Sequence, residues 1–527
     1  MDPTHLFELV IGMFLAIIVL HYAAHRLGLP PSVALLAGGA LLAFAPGLPT
    51  IEVDPELVLI IFLPPLLMDG AWFIALGRLR RHMIGIASLA VGAVVFTCVV
   101  VAVVTHLLFP SLPWAACAAL GAIVSPPDAV SARAVLQQVK LPRRLQILLE
   151  GESLFNDATG LVLFRFTIAA AVTGAFSTVD AVGSFFVLAI GGALVGIAIG
   201  TVWVLLVRRL EDDYLIIAAT ALLSWTSYLL GEFFHVSGVI ATVTTGLIAG
   251  WHQHTVFSAA TRMRGTSFWT VLVFLMEAAV FILIGLSLRG VVERGGGIDV
   301  VVATMGLPIL VILIALTLAR FAWVFGSDYV IRLCNMLGID RYKPLGARGS
   351  TVLGWAGVRG VVTLALALSV PEGFPGRDFI LVTSFAVILG TVLIQGTTLG
   401  KVIAWAKLSE PASEKPRLTM SQTEAAMAQA QFVVVRSRAY DGDGNLVHPQ
   451  LLERYQRRAT SIVDYAERTE DYTPVLHAHF DLVLEAVATG RRELIRLHRA
   501  GEIDDETLHE LERDLDLEEL SAISAKA

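Results

Sequence analysis

Residues 150–157 read EGESLFND, and the run that follows, 158–172, reads ATGLVLFRFTIAAAV. Glu150, Glu152 and Asp157 therefore lead straight into a segment that avoids water. The chain around them is 56% hydrophobic and 16% charged, with a mean hydropathy of +0.74. That composition belongs to a membrane protein. A charge at the centre of a bilayer costs roughly 3 to more than 10 kcal/mol depending on the scale, so acids in such a helix are functional by default and have partners.

Apolar runs of about 20 residues, the length that crosses a bilayer, recur about thirteen times. They fall near 4–25, 30–47, 55–76, 84–108, 113–138, 145–172 and 181–206, then 213–231, 236–251, 267–288, 299–326, 349–370 and 377–403. Every second loop is basic. The series is Arg26; Arg78, Arg80 and Arg81; Lys140, Arg143 and Arg144; Arg208 and Arg209; Arg262 and Arg264; and Arg332, Arg341, Lys343 and Arg348. The intervening loops are poor in positive charge, with Arg289, Arg294 and Arg377 as exceptions. Basic loops stay in the cytoplasm. The N-terminus is therefore expected outside and the C-terminus inside, in a multi-pass protein of the plasma membrane. Thirteen spans fit six helices, one linker helix, and six more in the opposite sense, the inverted repeat of many secondary transporters.

The first apolar run has no basic stretch before it and no small-residue cleavage motif, so it reads as a span rather than a signal peptide. The formal net charge of −7 comes largely from the C-terminal stretch and points to no nucleic-acid partner. Three cysteines lack any metal spacing, and no cofactor is expected. The membrane part is expected to cover 1–408. SEPASEKP, 409–416, reads as a hinge, and 409–527 as a cytoplasmic, mostly helical domain. Within it, DGDGN at 441–445 puts Leu446 and Leu452 where a calcium loop needs Gly and Glu, so it reads as a turn.

Two spans carry acids at depth. In the fifth, GAIVSPPDAV places Asp128 near mid-bilayer directly after Pro126 and Pro127. Tandem prolines remove two amide donors and clash with the preceding turn, so a break is expected there. Broken backbone at this depth persists only where protein covers it or it lines a watery cavity. In the sixth span Asp157 falls near the middle, with Ser153 one turn earlier on the same face and Glu152 and Asn156 as a second pair. In the twelfth, GWAGVRGVV surrounds Arg359 with Gly354, Gly357 and Gly360, which fits a second interruption. Arginine keeps its charge, and a structural ion pair between Arg359 and Glu152 is the expectation.

These motifs are specific enough for a family resemblance. SPPDAVSARAVLQQVKLPRRLQILLEGESLFNDATGLVLF, HVSGVIATVTTGLIAG, FLMEAAVFILIGLSL and WAGVRGVVTLALAL resemble the monovalent cation/proton antiporters, in the bacterial sodium/proton exchanger branch related to animal sodium/hydrogen exchangers. The resemblance implies an all-α membrane fold in which spans 5 and 12 are crossed, unwound helices. It also implies a homodimer built on spans 1–3 and 8–10, and a moving core of spans 4–6 and 11–13. It makes Asp157 the carboxylate that binds cation or proton, Asn156 its amide neighbour and Ser153 an oxygen ligand, with Asp128 beside them. It associates the Asn156–Asp157 pair with electroneutral exchange of Na⁺ or Li⁺ for H⁺, and leaves K⁺ as the alternative ion. Where members often carry Thr before the first aspartate this chain has Pro127, which offers only its carbonyl.

Two intramembrane aspartates also describe intramembrane aspartyl proteases, but PPD and FND are not the Tyr-Asp and Gly-x-Gly-Asp contexts of those enzymes. Regularly spaced arginines and filter-like sequences, the marks of voltage sensors and channels, are missing from the spans. The expected activity is transport without catalysis.

Overall fold

The computed structural model describes the chain except for residues 1–2, 46–54, 75, 129–140, 174–177, 339–342, 409–418, 442–443, 468, 501 and 527. The hinge at 409–416, Lys140, Arg341 and the second half of the fifth span lie outside the described residues. The chain divides into two units, Met1–Glu410 and Pro411–Ala527.

The first unit is built of helices, as lipid demands of any chain whose backbone groups must pair within their own segment. In order they are α1 (Pro3–Leu27), α2 (Pro31–Ala43), α3 (Pro55–Trp72), α4 (Leu76–Ala87), α5 (Val94–Leu108), α6 (Trp114–Val124), α7 (Arg143–Thr173) and α8 (Thr178–Val207). Then come α9 (Asp213–Phe233), α10 (Gly238–Val256), α11 (Ala259–Arg294), α12 (Ile298–Met336), α13 (Gly346–Trp355), α14 (Val361–Leu368), α15 (Arg377–Gly390) and α16 (Thr397–Ala406). A π-helical turn, Ser88–Ala93, joins α4 to α5, and another, Thr391–Gly396, joins α15 to α16. Among the described residues, eight helices or joined pairs are long and apolar enough to cross a membrane.

Two packing groups emerge. The helix α2 lies along α11, and α3 packs against α9 and α10, with α8 along α10. In the other group α5 and α7 flank α6, and α12 packs on α5, α13 and α15. Glycines let helices approach closely within the first group: a Cβ at Gly285 of α11 would lie 2.5 Å from the Ala40 nitrogen of α2.

Tandem prolines have opposite outcomes at two places. In α3, Pro64 and Pro65 leave the helix intact. Pro65 has no N–H for the Ile61 carbonyl, and the Trp225 indole of α9 donates to that carbonyl instead, at 3.1 Å. In the fifth span the prolines do end the helix: α6 stops at Val124, and Ser125 to Asp128 continue without α-helical structure. The twelfth span is interrupted as expected, between Trp355 and Val361. The Asp128 N–H donates to the Val358 carbonyl at 2.7 Å, so the two interruptions touch.

In the second unit, α17 (Met420–Arg438) opens on a capping box formed by Thr419 and Gln422 and packs against α18 (Pro449–Glu467). The helices α19 (Thr469–Arg499) and α20 (Asp505–Lys526) pair through Arg491, which reaches Asp516 at 2.6 Å and also Glu519. Asp441 accepts from the Asn445 N–H at 2.7 Å, which closes the chain there into a turn.

Candidate functional site

The helix α7 starts at Arg143, after Pro142, and its first turns bring Gln146 and Glu150 to the wall of a cavity. Gln146 donates to Glu150 at 2.8 Å. One and two turns further in, Ser153 and Asp157 lie on the same face, as their spacing predicts. Both line a cavity of about 580 Å³, together with Asp128, Asp69 of α3 and Glu277 of α11. Five carboxylates thus border one space. Asp157 is the most enclosed point of this set on α7, with 8% of its surface exposed.

The unwound segments meet at this point. Asn156 is fully buried and donates its amide to the Pro127 carbonyl at 2.6 Å. The only oxygen Pro127 offers is therefore engaged by a neighbour of Asp157, and Asn156 acts here by holding the broken backbone of the fifth span. A Cβ on Gly360 would collide with the Asp128 carboxylate, so glycine is what allows the twelfth span to pass this close. Gly160 plays the same part for Pro126 from α7.

One expectation is corrected. Glu152 pairs with Arg320 of α12, not with Arg359: Nη1 to Oε1 is 2.6 Å and Nη2 to Oε2 is 2.9 Å, a bidentate pair. Arg320 also donates from Nε to the Leu353 carbonyl, at 3.2 Å, at the end of α13. Arg359 instead caps broken backbone. Its Nε donates to the Val124 carbonyl and its Nη1 to the Gly357 carbonyl, each at 2.6 Å, while its own N–H donates to Thr391 Oγ1 at 3.0 Å. The reason is geometric and electrostatic. The Val124 carbonyl ends α6, lacks a helical donor and carries the negative end of that helix dipole, and the Gly357 carbonyl lies in the interruption after α13, so the Arg359 guanidinium fits both.

Arg320 was not singled out from sequence, although LTLARFAWV shows a lone cation in the middle of an apolar span, which by itself demands a partner. Asp69 in LLMDGAW and Glu277 in FLMEAAV gave the same signal. Arg165, whose partner the sequence left open, binds Glu232 at 3.0 Å.

Among the described residues no three His, Cys, Asp or Glu side chains are grouped to hold a metal ion tightly. Two aspartates and a serine hydroxyl in a roomy acidic cavity suit a loosely held monovalent cation, and a carboxylate among them can exchange that cation for a proton. Residues 10–405 match the family model for the transmembrane sodium/hydrogen exchanger. The chain belongs to the sodium/hydrogen exchanger family. Sodium/hydrogen exchangers are membrane transporters, not enzymes. An uncharacterized Na⁺/H⁺ exchanger of Mycobacterium tuberculosis is 30% identical over 98% of this chain and 96% of its own length. A sodium, potassium, lithium and rubidium/H⁺ antiporter of Bacillus subtilis is 34% identical over 74% of this chain and 60% of its own. The fold is similar to that of a sodium proton antiporter from Methanocaldococcus jannaschii, with a TM-score of 0.59 and 20% identity over 76% of this chain and 98% of that one.

Proposed function

We propose that this exchanger is a secondary active antiporter that trades Na⁺ or Li⁺ for H⁺ across the plasma membrane, one for one, with both ions competing for Asp157. The observation that carries this reading is the convergence of Asp157, Asp128 and Ser153 on one acidic cavity beside two touching, interrupted helices. Oxygens of these three residues would replace part of the ion's hydration shell. Glu152 and Arg320 are scaffold in this reading, and the breaks at Pro126 and Pro127 create room for the ion.

Alternating exposure of the loaded site couples the two flows. An empty site would carry the bare Asp157 charge through low-dielectric surroundings, and that penalty suppresses leak. Spans 5 and 12 act as crossed helices within a core of spans 4–6 and 11–13, working against a homodimeric frame of spans 1–3 and 8–10 in a thirteen-span inverted repeat. His21, Pro31, Ser32, Gln146 and Glu150 line the cavity at helix ends that adjoin the basic loops at Arg26 and Arg143, so with those loops in the cytoplasm the cavity faces inward. The breadth of cations in the name of the Bacillus subtilis relative favours K⁺ as the second reading.

The test is purified protein in liposomes with an internal pH dye, challenged with Na⁺, Li⁺, K⁺ and choline. Na⁺ should dissipate a pH gradient with the unmodified chain and not with Asp157→Asn. A response to K⁺ alone would move the reading to K⁺/H⁺ exchange, and an undiminished response in Asp157→Asn would sink it.

A further inference from the structure

The cavity follows α7 from Gln146 to Asp157. Arg165 lies two turns beyond Asp157, roughly 12 Å further along the helix at 1.5 Å per residue. There it binds Glu232, the penultimate residue of α9, with side-chain exposures of 47% and 32%. The other Glu232 oxygen is buried and accepts no hydrogen bond, so Arg165 is what holds this carboxylate in place. The main packing of α7 is with α4, α6 and the Ser88–Ala93 turn, and it hardly touches α9 otherwise. The helix α9 in turn is fastened to α3 through Trp225 and Ile61. At the end away from the cavity this ion pair joins the helix that carries Asp157 and Ser153 to the α3–α9 wall, which α7 also touches along α3.

We propose that Arg165 and Glu232 form a latch that favours the arrangement seen here, with the site open through the Glu150 end of α7, over one in which α7 has shifted along the α3–α9 wall. The proposal rests on the alternating exposure argued above. A pair this exposed is worth a factor of about two to five in an equilibrium, enough to bias the resting state and weak enough to break at each turnover. The chemistry is that of a screened charge pair, so the bias fades as salt rises.

The test uses the full chain with Cys98, Cys117 and Cys334 replaced by alanine and Leu66→Cys placed in the cavity wall. It is carried in inverted membrane vesicles, whose cytoplasmic face meets the bath. A membrane-impermeant maleimide reports how often the cavity is open to that side. Arg165→Gln and Glu232→Gln should each slow labelling roughly two- to fivefold, and the reversed pair Arg165→Glu with Glu232→Arg should restore it. Labelling at the parent rate in both single variants, or a reversed pair as slow as the singles, would overturn the latch. Cation-driven proton movement by the unmodified chain is recorded in the same vesicles. Its absence would overturn the antiport reading instead, since labelling needs no ion gradient.

Discussion

Glu152 and Arg320 meet through two parallel hydrogen bonds of 2.6 and 2.9 Å, with 2% and 4% of their side chains exposed. The pair binds α7 to α12 next to Ser153 and one turn from Asn156, and through the Leu353 carbonyl it also holds the end of α13. Taking two charges out of water is costly, and only such complete geometry offsets it.

Removing one partner should therefore hurt more than removing both. Glu152→Gln or Arg320→Met leaves a buried, unmatched polar or charged group, with an expected loss of about 3–5 kcal/mol. The double variant Glu152→Leu with Arg320→Met should lose less than either single. Thermal unfolding in detergent measures all three, and additive losses would contradict the account.

Gly360 passes against the Asp128 carboxylate. Gly360→Ala should displace Asp128 and weaken transport at least tenfold, since a misplacement of about 1 Å at a site can cost about a hundredfold. Liposome flux read against unfolding temperature separates a displaced site from a failed fold. Normal flux would mean that Asp128 moves aside without consequence.

Trp225→Phe should leave the Ile61 carbonyl without a donor inside the bilayer, at a cost of about 1–3 kcal/mol. Trp405 is 63% exposed and serves as the control, because Trp405→Phe should change stability by less than about 0.5 kcal/mol. Equal effects of the two changes would remove the special role given to the indole N–H.

The second unit has its own acid response. Asp504 caps α20 by accepting from the Thr507 N–H at 2.8 Å, and its bonds to the Thr507 side chain and backbone hold its carboxyl below the usual aspartate range. A group depressed in this way stabilises the folded state above its unfolded pKa, and the stabilisation is lost as pH falls through the lower, folded value. Hydrogen exchange in the first turn of α20 should therefore stay slow near neutrality and quicken, after correction for intrinsic rates, only below the ordinary carboxylate range of about 4. Asp504→Asn, which keeps a capping oxygen, should remove that pH dependence.

Much of the site was legible because its chemistry is local in sequence. Asp128 directly follows two prolines, and Asp157 shares a helix face with Ser153, so the break and that face could be read from spacing, while Asp128 beside Asp157 was implied by the family resemblance. The partner of Glu152 was not legible for the opposite reason. Two buried arginines, Arg320 and Arg359, were available, and only the three-dimensional position of the α6 and α13 carbonyls assigns one to the acid and the other to backbone. Pro64 and Pro65 make the same point. The motif that breaks the fifth span leaves α3 whole, and one carbonyl it opens there is met by an indole 164 residues away in sequence. Asp69 and Glu277 each sit in an apolar run with no neighbouring motif, and their meeting in one cavity depends on the packing of α3 and α11.

The indole that completes α3 has a mechanical consequence. Pro64 and Pro65 take two hydrogen bonds out of α3, a helix bends most easily at such a gap, and here the rung at the Ile61 carbonyl is met by a donor from a different helix. The helices α3 and α9 cannot slide past one another without reopening the gap, so they should travel, or stay still, as a single rigid strut. Leu66, Leu67 and Asp69 sit just past the mended rung and form one wall of the cavity. That wall is a fixed surface, and any motion that carries an ion across the membrane falls to the helices facing it.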